Sequence, residues 1–370
     1  MLRSRPRARP SPARKTEMPL LDHTNQPAAP VSQGPIGAAT PPVESSIAAD
    51  FEVIRFCPVC GGKHLRRRFE VSHILADSVH AWAAGCGYPA APVVLCADCG
   101  FLCKATRPTA ALLERHYASA GEDYLDRISE DNLPFRADFR AALRTIQQAY
   151  PAGGSVLDLG CASGGFLAAL GARWKRHGLD LSELMVRRAA ARSGIVVRRA
   201  DVFSARFDAA SFDVVTAFDV LEHLPRPLEF LAEVRRILKP GGMLLVGTGD
   251  AGALGARLAG SRWTYFAIPE HISFFSTRSL ERAFRLAGFR SSRFKRIHHG
   301  DLTLPVARGW LRGAAKHWAI TLCGDRITRL PLFRQKTSQF EVPYFFDHMI
   351  AVAHGRTRLN NHPHTTRSAA

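Results

Sequence analysis

Two C-x-x-C pairs carry the most distinctive chemistry in this sequence: Cys57 and Cys60 in CPVCG, then, after 35 intervening residues, Cys96 and Cys99 in CADCG. Each pair forms a tight turn followed by a glycine that frees the backbone to wrap around a metal. Four thiolates suit tetrahedral zinc, and iron uses similar knuckles. With sulfur at all four positions no site is left for a substrate, so the metal is expected to be structural and to stabilise a small module. Cys86, Cys103 and His64 read as bystanders, and Cys161 and Cys323 as ordinary buried thiols.

A second constellation begins at VLDLGCASGGFLAAL, residues 156–170, where an apolar strand passes through a glycine-rich turn into an apolar helix. Gly160, Ala162 and Gly165 resemble a degraded dinucleotide fingerprint, in which backbone N–H groups face a pyrophosphate. Asp158 argues otherwise, because a carboxylate at the strand end repels a diphosphate and attracts an ammonium. A cofactor with adenosine at one end and methionine at the other meets that condition. Further polar groups recur after later apolar runs: Asp180 in GLDLS, Asp201 in RADVF, then Asp219, Glu222 and His223 in FDVLEHL. The segment WTYFAIPEHISFFS presents Glu270 and His271 between aromatics. An imidazole near neutral pKa can take a proton from a hydroxyl or from a carbon beside a ketone, and Glu270 can hold it or share the transfer. Taken singly, each acid also reads as a helix cap or turn residue, and each histidine as a satisfied core side chain.

These groups need a frame to position them. From Ser155 onward the β-rich runs SVLDLG, WKRHGLD, IVVRRAD, FDVVTAFD and MLLVGTG alternate with helical patterns, which predicts βαβ units and a parallel sheet covered on both faces. LEFLAEVRRIL supplies one covering helix, expected to stop at Pro240 and the glycines of KPGG. SLERAFRLAG reads as a helix, and FRSSRFKRI and HMIAVAHG as strands. Phe135, Phe139, Leu143 and Ile146 recur at helical spacing upstream of the sheet. The expected organisation is a disordered leader over 1–50 with Met18 as an alternative start, a cysteine module over 51–107 and a helical linker over 108–150. An α/β domain follows over 151–356, irregular at about 300–345, and then a disordered tail over 357–370.

With these motifs in view, the chain resembles the class I S-adenosylmethionine-dependent methyltransferases. Their first motif is similar to DLGCASG, with Asp158, Gly160 and Gly164 in place and Ala162 where a second glycine usually stands. The resemblance implies a Rossmann-like α/β fold, a mostly parallel seven-stranded sheet whose last strand is antiparallel. It implies that Asp180, with Leu181 beside it, takes the ribose hydroxyls, that Asp201 and Val202 meet the adenine, and that Asp219 lines the methionine end. A zinc-ribbon-like module ahead of such a domain resembles the bacterial sugar C-methyltransferases and related cell-surface and secondary-metabolite methyltransferases. Those sugar enzymes carry a Glu-His pair after the fifth strand, matched here by Glu270 and His271, with Phe275 in place of a downstream tyrosine and Tyr265 upstream. Tyr117 and Tyr124 fall where such two-module enzymes often close the cofactor pocket.

Charge distribution separates the remaining classes. Of the formal +18, residues 1–15 contribute +6 and residues 308–370 contribute +7, leaving +5 where the motifs lie. Neither basic region interleaves aromatics regularly, so a solvated tail and a basic surface are the favoured reading over a nucleic-acid interface. The eight cysteines are too few for a disulfide scaffold, and no run of eighteen apolar residues or leader h-region is visible, which together predict a cytoplasmic protein; the family resemblance implies a small-molecule acceptor. The alternatives are an RNA methyltransferase gripping phosphates with its basic termini, or a non-catalytic zinc-dependent interaction protein.

Overall fold

The computed structural model describes residues 50–71, 91–119, 136–297 and 347–355. Apart from Asp50, the expected leader lies outside the described residues, as do the irregular stretch at 300–345, the expected tail, Cys86, Tyr124 and Cys323. The described chain opens with β1 (Phe51–Val53), β2 (Leu65–Glu70), β3 (Pro92–Cys96), β4 (Leu102–Lys104) and β5 (Thr106–Pro108). Two helices follow, α1 (Ala110–Ala118) and α2 (Ala137–Ala149). The region read as a helical linker therefore contains two helices, with 120–135 between them outside the described residues.

The alternating part contains β6 (Gly154–Leu159), α3 (Gly165–Leu170), β7 (Trp174–Asp180), α4 (Glu183–Ala190), β8 (Ile195–Arg199), β9 (Phe212–Phe218), α5 (Pro227–Ile237) and β10 (Leu238–Gly249). Short helices α6 (Leu254–Ala259) and α7 (Thr264–Ala267) lead to β11 (Ser273–Phe274), α8 (Thr277–Leu286), β12 (Ser291–Ile297) and β13 (His348–His354). Seven of these strands form one sheet in the order β12-β13-β10-β9-β6-β7-β8. Pairing is parallel from β10 through β8, while β13 runs antiparallel to both neighbours. The central strands β6 and β9 are buried almost throughout, as a sheet covered on both faces requires.

One face is covered by Phe139, Ala142 and Ile146 of α2, with Phe166 and Leu167 of α3 and Ala189 of α4. The other receives Phe230, Leu231, Val234 and Ile237 of α5 and Leu280, Ala283 and Phe284 of α8, each set at helical spacing. Pro227 starts α5, where its missing N–H costs nothing, and the capping box of Ser276 with Ser279 starts α8. Pro240 does not end α5. The helix stops at Ile237, and Leu238 is already extended and paired with Phe212. Lys239, Pro240 and the two glycines are absorbed as an irregularity in β10 before regular pairing resumes at Met243.

The cysteine-bearing part forms a second, four-stranded antiparallel sheet in the order β11-β4-β3-β2, and β1 pairs with β5 as a separate ribbon. Its outer strand β11 comes from more than 160 residues downstream, in register Ser273 to Cys103 and Phe274 to Leu102. Cys57, Val59, Phe101 and Cys103 join the same apolar cluster as α5 and α8, and the Phe101 ring lies 4.9 Å from that of Phe275.

Candidate cofactor cavity, histidine pair and metal centre

The strand order reverses at β6: the chain runs outward through β7 and β8 and then returns to place β9 on the other side of β6, which opens a crevice beyond the strand ends. A cavity of about 350 Å³ lies there. It is lined by Asp158, Gly160 and Ala162 after β6, Asp180 and Leu181 after β7, Asp201 and Val202 after β8, and Asp219 and His223 after β9. Tyr117 of α1 and Arg136, which precedes α2, also line it.

The turn after β6 is held from the neighbouring strand. Gly160 and Cys161 both donate N–H to Leu179 O, and a Cβ at Gly160 would meet Val220 Cγ2 at 2.9 Å. Ala162 occupies the left-handed region at φ 45°, and its N–H donates to Asp180 Oδ2 at 2.9 Å. The other oxygen, Asp180 Oδ1, accepts from Ser182 N–H at 2.9 Å, so each carboxylate oxygen is anchored with lone pairs to spare. Burial raises the Asp180 pKa against these backbone bonds. Gly164, expected at the cofactor, does not line the cavity. It is left-handed at φ 78° and a Cβ there would stand 3.1 Å from Ala189 Cβ, so its bare backbone lets α3 approach α4.

Asp158 is buried and accepts from Thr216 Oγ1 at 2.6 Å. Desolvation pushes its carboxyl up to about 7, opposed by that hydroxyl and by Arg136, and helped by Asp180. Asp201 lines the cavity while its carboxylate caps the next turn, accepting from Ser204 N at 2.6 Å and Ser204 Oγ at 2.8 Å. Asp219 is left-handed at φ 53° and pairs with Arg136 Nη2 at 2.6 Å. Arg136 also grips Asp138 through Nε and Nη2 and lies 4.4 Å from the Phe139 ring centroid, which leaves Nη1 without a hydrogen bond to any described residue. Nothing in a sequence holding 50 lysines and arginines singles this arginine out.

At the edge of the cavity, around His223, sits a polar cluster. His223 Nδ1 contacts Tyr117 OH at 2.7 Å and Glu270 O at 3.2 Å, so Nε2 is the ring nitrogen left for a ligand. His271 is buried behind it, with ring centroids 4.7 Å apart, and its ring centroid lies 4.1 Å from that of Tyr265 at a tilt of 58°. Neither Glu270 nor His271 lines the cavity. Among the described residues His271 Nδ1 meets no hydrogen-bond partner, and burial, with His223 and Lys104 adding to it, drives its pKa well below the ordinary histidine value. The main-chain carbonyl of Glu270 ties it to this cluster by accepting from His223 Nδ1. Glu222 accepts from Tyr265 OH and, at 2.9 Å, from Thr248 Oγ1. Glu222, His223 and His271 offer ligand-type atoms within 4.8 Å of one another. Both Glu222 oxygens are already engaged by hydroxyls, which suits a proton-handling cluster better than a second metal centre.

The four module cysteines converge. Cys57 and Cys99 sulfurs are 3.5 Å apart, Cys60 and Cys96 sulfurs 3.6 Å, and all four lie within 4.8 Å of one another. Sulfurs placed tetrahedrally at about 2.3 Å from zinc stand roughly 3.8 Å apart, so the set fits that ion. Each knuckle closes as the glycines suggest: Gly61 N–H donates to Cys57 O and Gly100 N–H to Cys96 O, with φ 71° and 75°. His64 pairs with Asp98 at 2.9 Å, and Cys103 and Cys161 are buried thiols.

Comparison with known proteins gives the following. The family described as a methyltransferase domain matches residues 135–291. A ubiquinone biosynthesis O-methyltransferase of Thiobacillus denitrificans is 31% identical over 175 residues, covering 44% of this chain and 75% of that protein. An uncharacterized 37.1 kDa protein in transposon TN4556 of Streptomyces fradiae is 33% identical over 152 residues, 38% of this chain and 43% of that one. A probable S-adenosylmethionine-dependent methyltransferase of Mycolicibacterium smegmatis is 36% identical over 131 residues, 35% and 50% of the two chains. The chain thus spans three quarters of the first relative and half or less of the other two.

Proposed function

The chain belongs to the class I S-adenosylmethionine-dependent methyltransferases, and on that premise we propose that it methylates a small molecule, a sugar or a cell-surface or secondary-metabolite intermediate, at oxygen or carbon. The observation that carries this reading is the cavity that gathers Asp158, Asp180, Asp201 and Asp219 with the guanidinium of Arg136 at the carboxyl edge of the sheet. Such a donor set suits an amino-acid nucleoside carrying a cationic sulfur: acids for the ammonium and ribose hydroxyls, an arginine for the carboxylate. Its volume lies within the ordinary range for ligand pockets. The O-methyltransferase relatives favour a hydroxyl acceptor.

When bound, the cofactor supplies an electrophilic methyl group. The chain's own contribution is then to align an acceptor and to hold its proton. Asp180 and the loop it anchors orient the nucleoside; Asp158 and Asp219 set the charge at the methionine end. His223 faces the cavity and accepts a proton at Nε2, while Tyr117 and the Glu270 carbonyl fix its ring. His271, kept neutral behind it, completes the histidine pair. Cys57, Cys60, Cys96 and Cys99 would hold zinc as a structural ion, four thiolates leaving no position for a substrate.

Calorimetry of the metal-loaded chain with S-adenosylmethionine and S-adenosylhomocysteine tests the cofactor. Binding of both is expected, and binding of a nicotinamide or flavin dinucleotide in their place overturns the reading. Transfer of a labelled methyl group to a panel of nucleotide sugars and hydroxylated aromatics then identifies the acceptor class.

A further inference from the structure

Lysine side chains are seldom fully buried, yet Lys104 of β4 has no exposed surface. It projects from the cysteine-bearing sheet, and Nζ donates to Ile268 O at 2.7 Å and to Pro269 O at 3.2 Å, the two carbonyls immediately before Glu270 and His271. Its backbone N–H donates to Ile272 O at 3.1 Å, immediately after them. One residue further on, β11 adds to β4 through Ser273 and Phe274. The Glu270–His271 step is therefore clamped on both sides by the same three-residue strand, Leu102–Lys104. The clamp extends to the cavity, since Glu270 O meets His223 Nδ1 and Ile272 N–H donates to Glu222 O at 2.8 Å.

We propose that Lys104 is a positioning residue for the histidine pair, through which the metal-binding module orients His223 and His271 for proton transfer. The inference rests on reading that pair as the proton-handling group. Charge supports the same arrangement: burial lowers the Lys104 pKa to about 7, with Glu270 opposing, and Lys104 is among the groups that depress His271. The other charged or titratable groups facing His271 are His223, Glu222, Asp219 and His348, with the Tyr265 ring packed against it. Lys104, held on the far side of the turn, adds to burial and His223 in keeping His271 neutral, while its hydrogen bonds hold the turn still. The module thus supplies part of the acceptor side of the site, beyond the fold support expected of a structural metal.

The test compares wild type with Lys104→Met in the full, metal-loaded chain, reading amide exchange at His271 and Ile272 and the titration of the His271 ring by NMR. In the variant, exchange at both amides is expected to rise about tenfold or more and the His271 pKa to move up by about half a unit or more, with metal content unchanged. Exchange and titration that match wild type overturn the proposal. If Lys104→Met does not retain metal, Lys104→Gln, which keeps a donor without the charge, is read for the same upward titration. If neither variant folds, the wild-type protein decides: titrations of Lys104 Cε and His271 Cε1 must each show the other's inflection, and independent curves overturn the proposal. Parallel titration with S-adenosylhomocysteine separates the two readings, because wild-type protein that ignores it refutes methyl transfer, whereas an undisturbed His271 in the variants refutes only the role of Lys104.

Discussion

The Thr216 hydroxyl donates to Asp158 Oδ1 at 2.6 Å across the adjacent strands β6 and β9, where both side chains are buried. Because the folded-state pKa is raised to about 7, the empty protein favours the protonated carboxyl. The contribution of Asp158 to stability is therefore full near the ordinary carboxylate pKa, declines as pH rises toward 7, and is flat above it. An ammonium placed beside Asp158 favours the charged form, so binding below pH 7 must expel a proton. S-adenosylhomocysteine affinity is expected to rise by up to about tenfold per pH unit toward 7 and then level, with the slope lost in Asp158→Asn. Calorimetry at pH 6, 7 and 8 in two buffers of different ionisation enthalpy reads both the slope and the released proton.

Ala162 stands at φ 45° in the turn that meets Asp180. The left-handed region costs an L-residue about 1–2 kcal/mol, against roughly 0.5–1 kcal/mol for the greater freedom of an unfolded glycine. Ala162→Gly is expected to gain about 0.5 kcal/mol in chemical denaturation with cofactor affinity kept. Ala162→Val, β-branched at positive φ, is expected to lose about 2 kcal/mol and to weaken binding. A glycine variant less stable than wild type would show that the turn is not strained at this residue.

What the sequence made legible was whatever is local or repeats in order. The strand ends at Asp158 and Asp219 could be found because apolar runs mark β6 and β9, Asp180 by its place in the alternating order, and the cysteine knuckles because each is a short motif closed by its own glycine. Gly164 was matched by motif position, yet its role is decided by Ala189 on another helix. Long-range pairing was invisible. Two residues, Ser273 and Phe274, carry too little pattern to announce a strand, and their partner β4 lies in a different module. Lys104 and Arg136 are ordinary basic residues in a basic chain until the fold buries one under Ile268 and sets the other between Asp138 and Asp219. Pro240 marks the end of α5 too late, because pairing of Leu238 with Phe212 has already drawn the backbone into the sheet.

Arg136 gives a test of which end of the cofactor it meets. Its Nε and Nη2 are engaged by Asp138 and Asp219, while Nη1 carries no described hydrogen bond and the side chain lines the cavity. If that edge receives a carboxylate, Arg136→Met is expected to weaken S-adenosylhomocysteine by about tenfold or more and to leave methylthioadenosine, which lacks the amino-acid end, within about twofold. Equal weakening of both ligands would assign Arg136 to folding of the Asp219 turn instead.

Metal removal separates the two sides of the site. Elemental analysis is expected to find one zinc ion per chain, lost in Cys96→Ser and Cys99→Ser, since a tetrahedral site with three sulfurs and a hydroxyl binds far more weakly. Ser273 and Phe274 pair with a strand that begins three residues after Cys99, so their amides are tied to the metal-bearing sheet. The cofactor loop is instead held by Leu179, Asp180 and the parallel pairing of β6 with β7 and β9. Chelation is therefore expected to raise amide exchange across 268–274 before it disturbs 156–165, and to leave S-adenosylhomocysteine affinity within about threefold while methyl transfer is lost. Simultaneous loss of protection in both segments would mean that the cluster shared by Phe101, Phe275 and Leu231 couples the module to the whole sheet, and that the metal supports cofactor binding as directly as it supports the histidine pair.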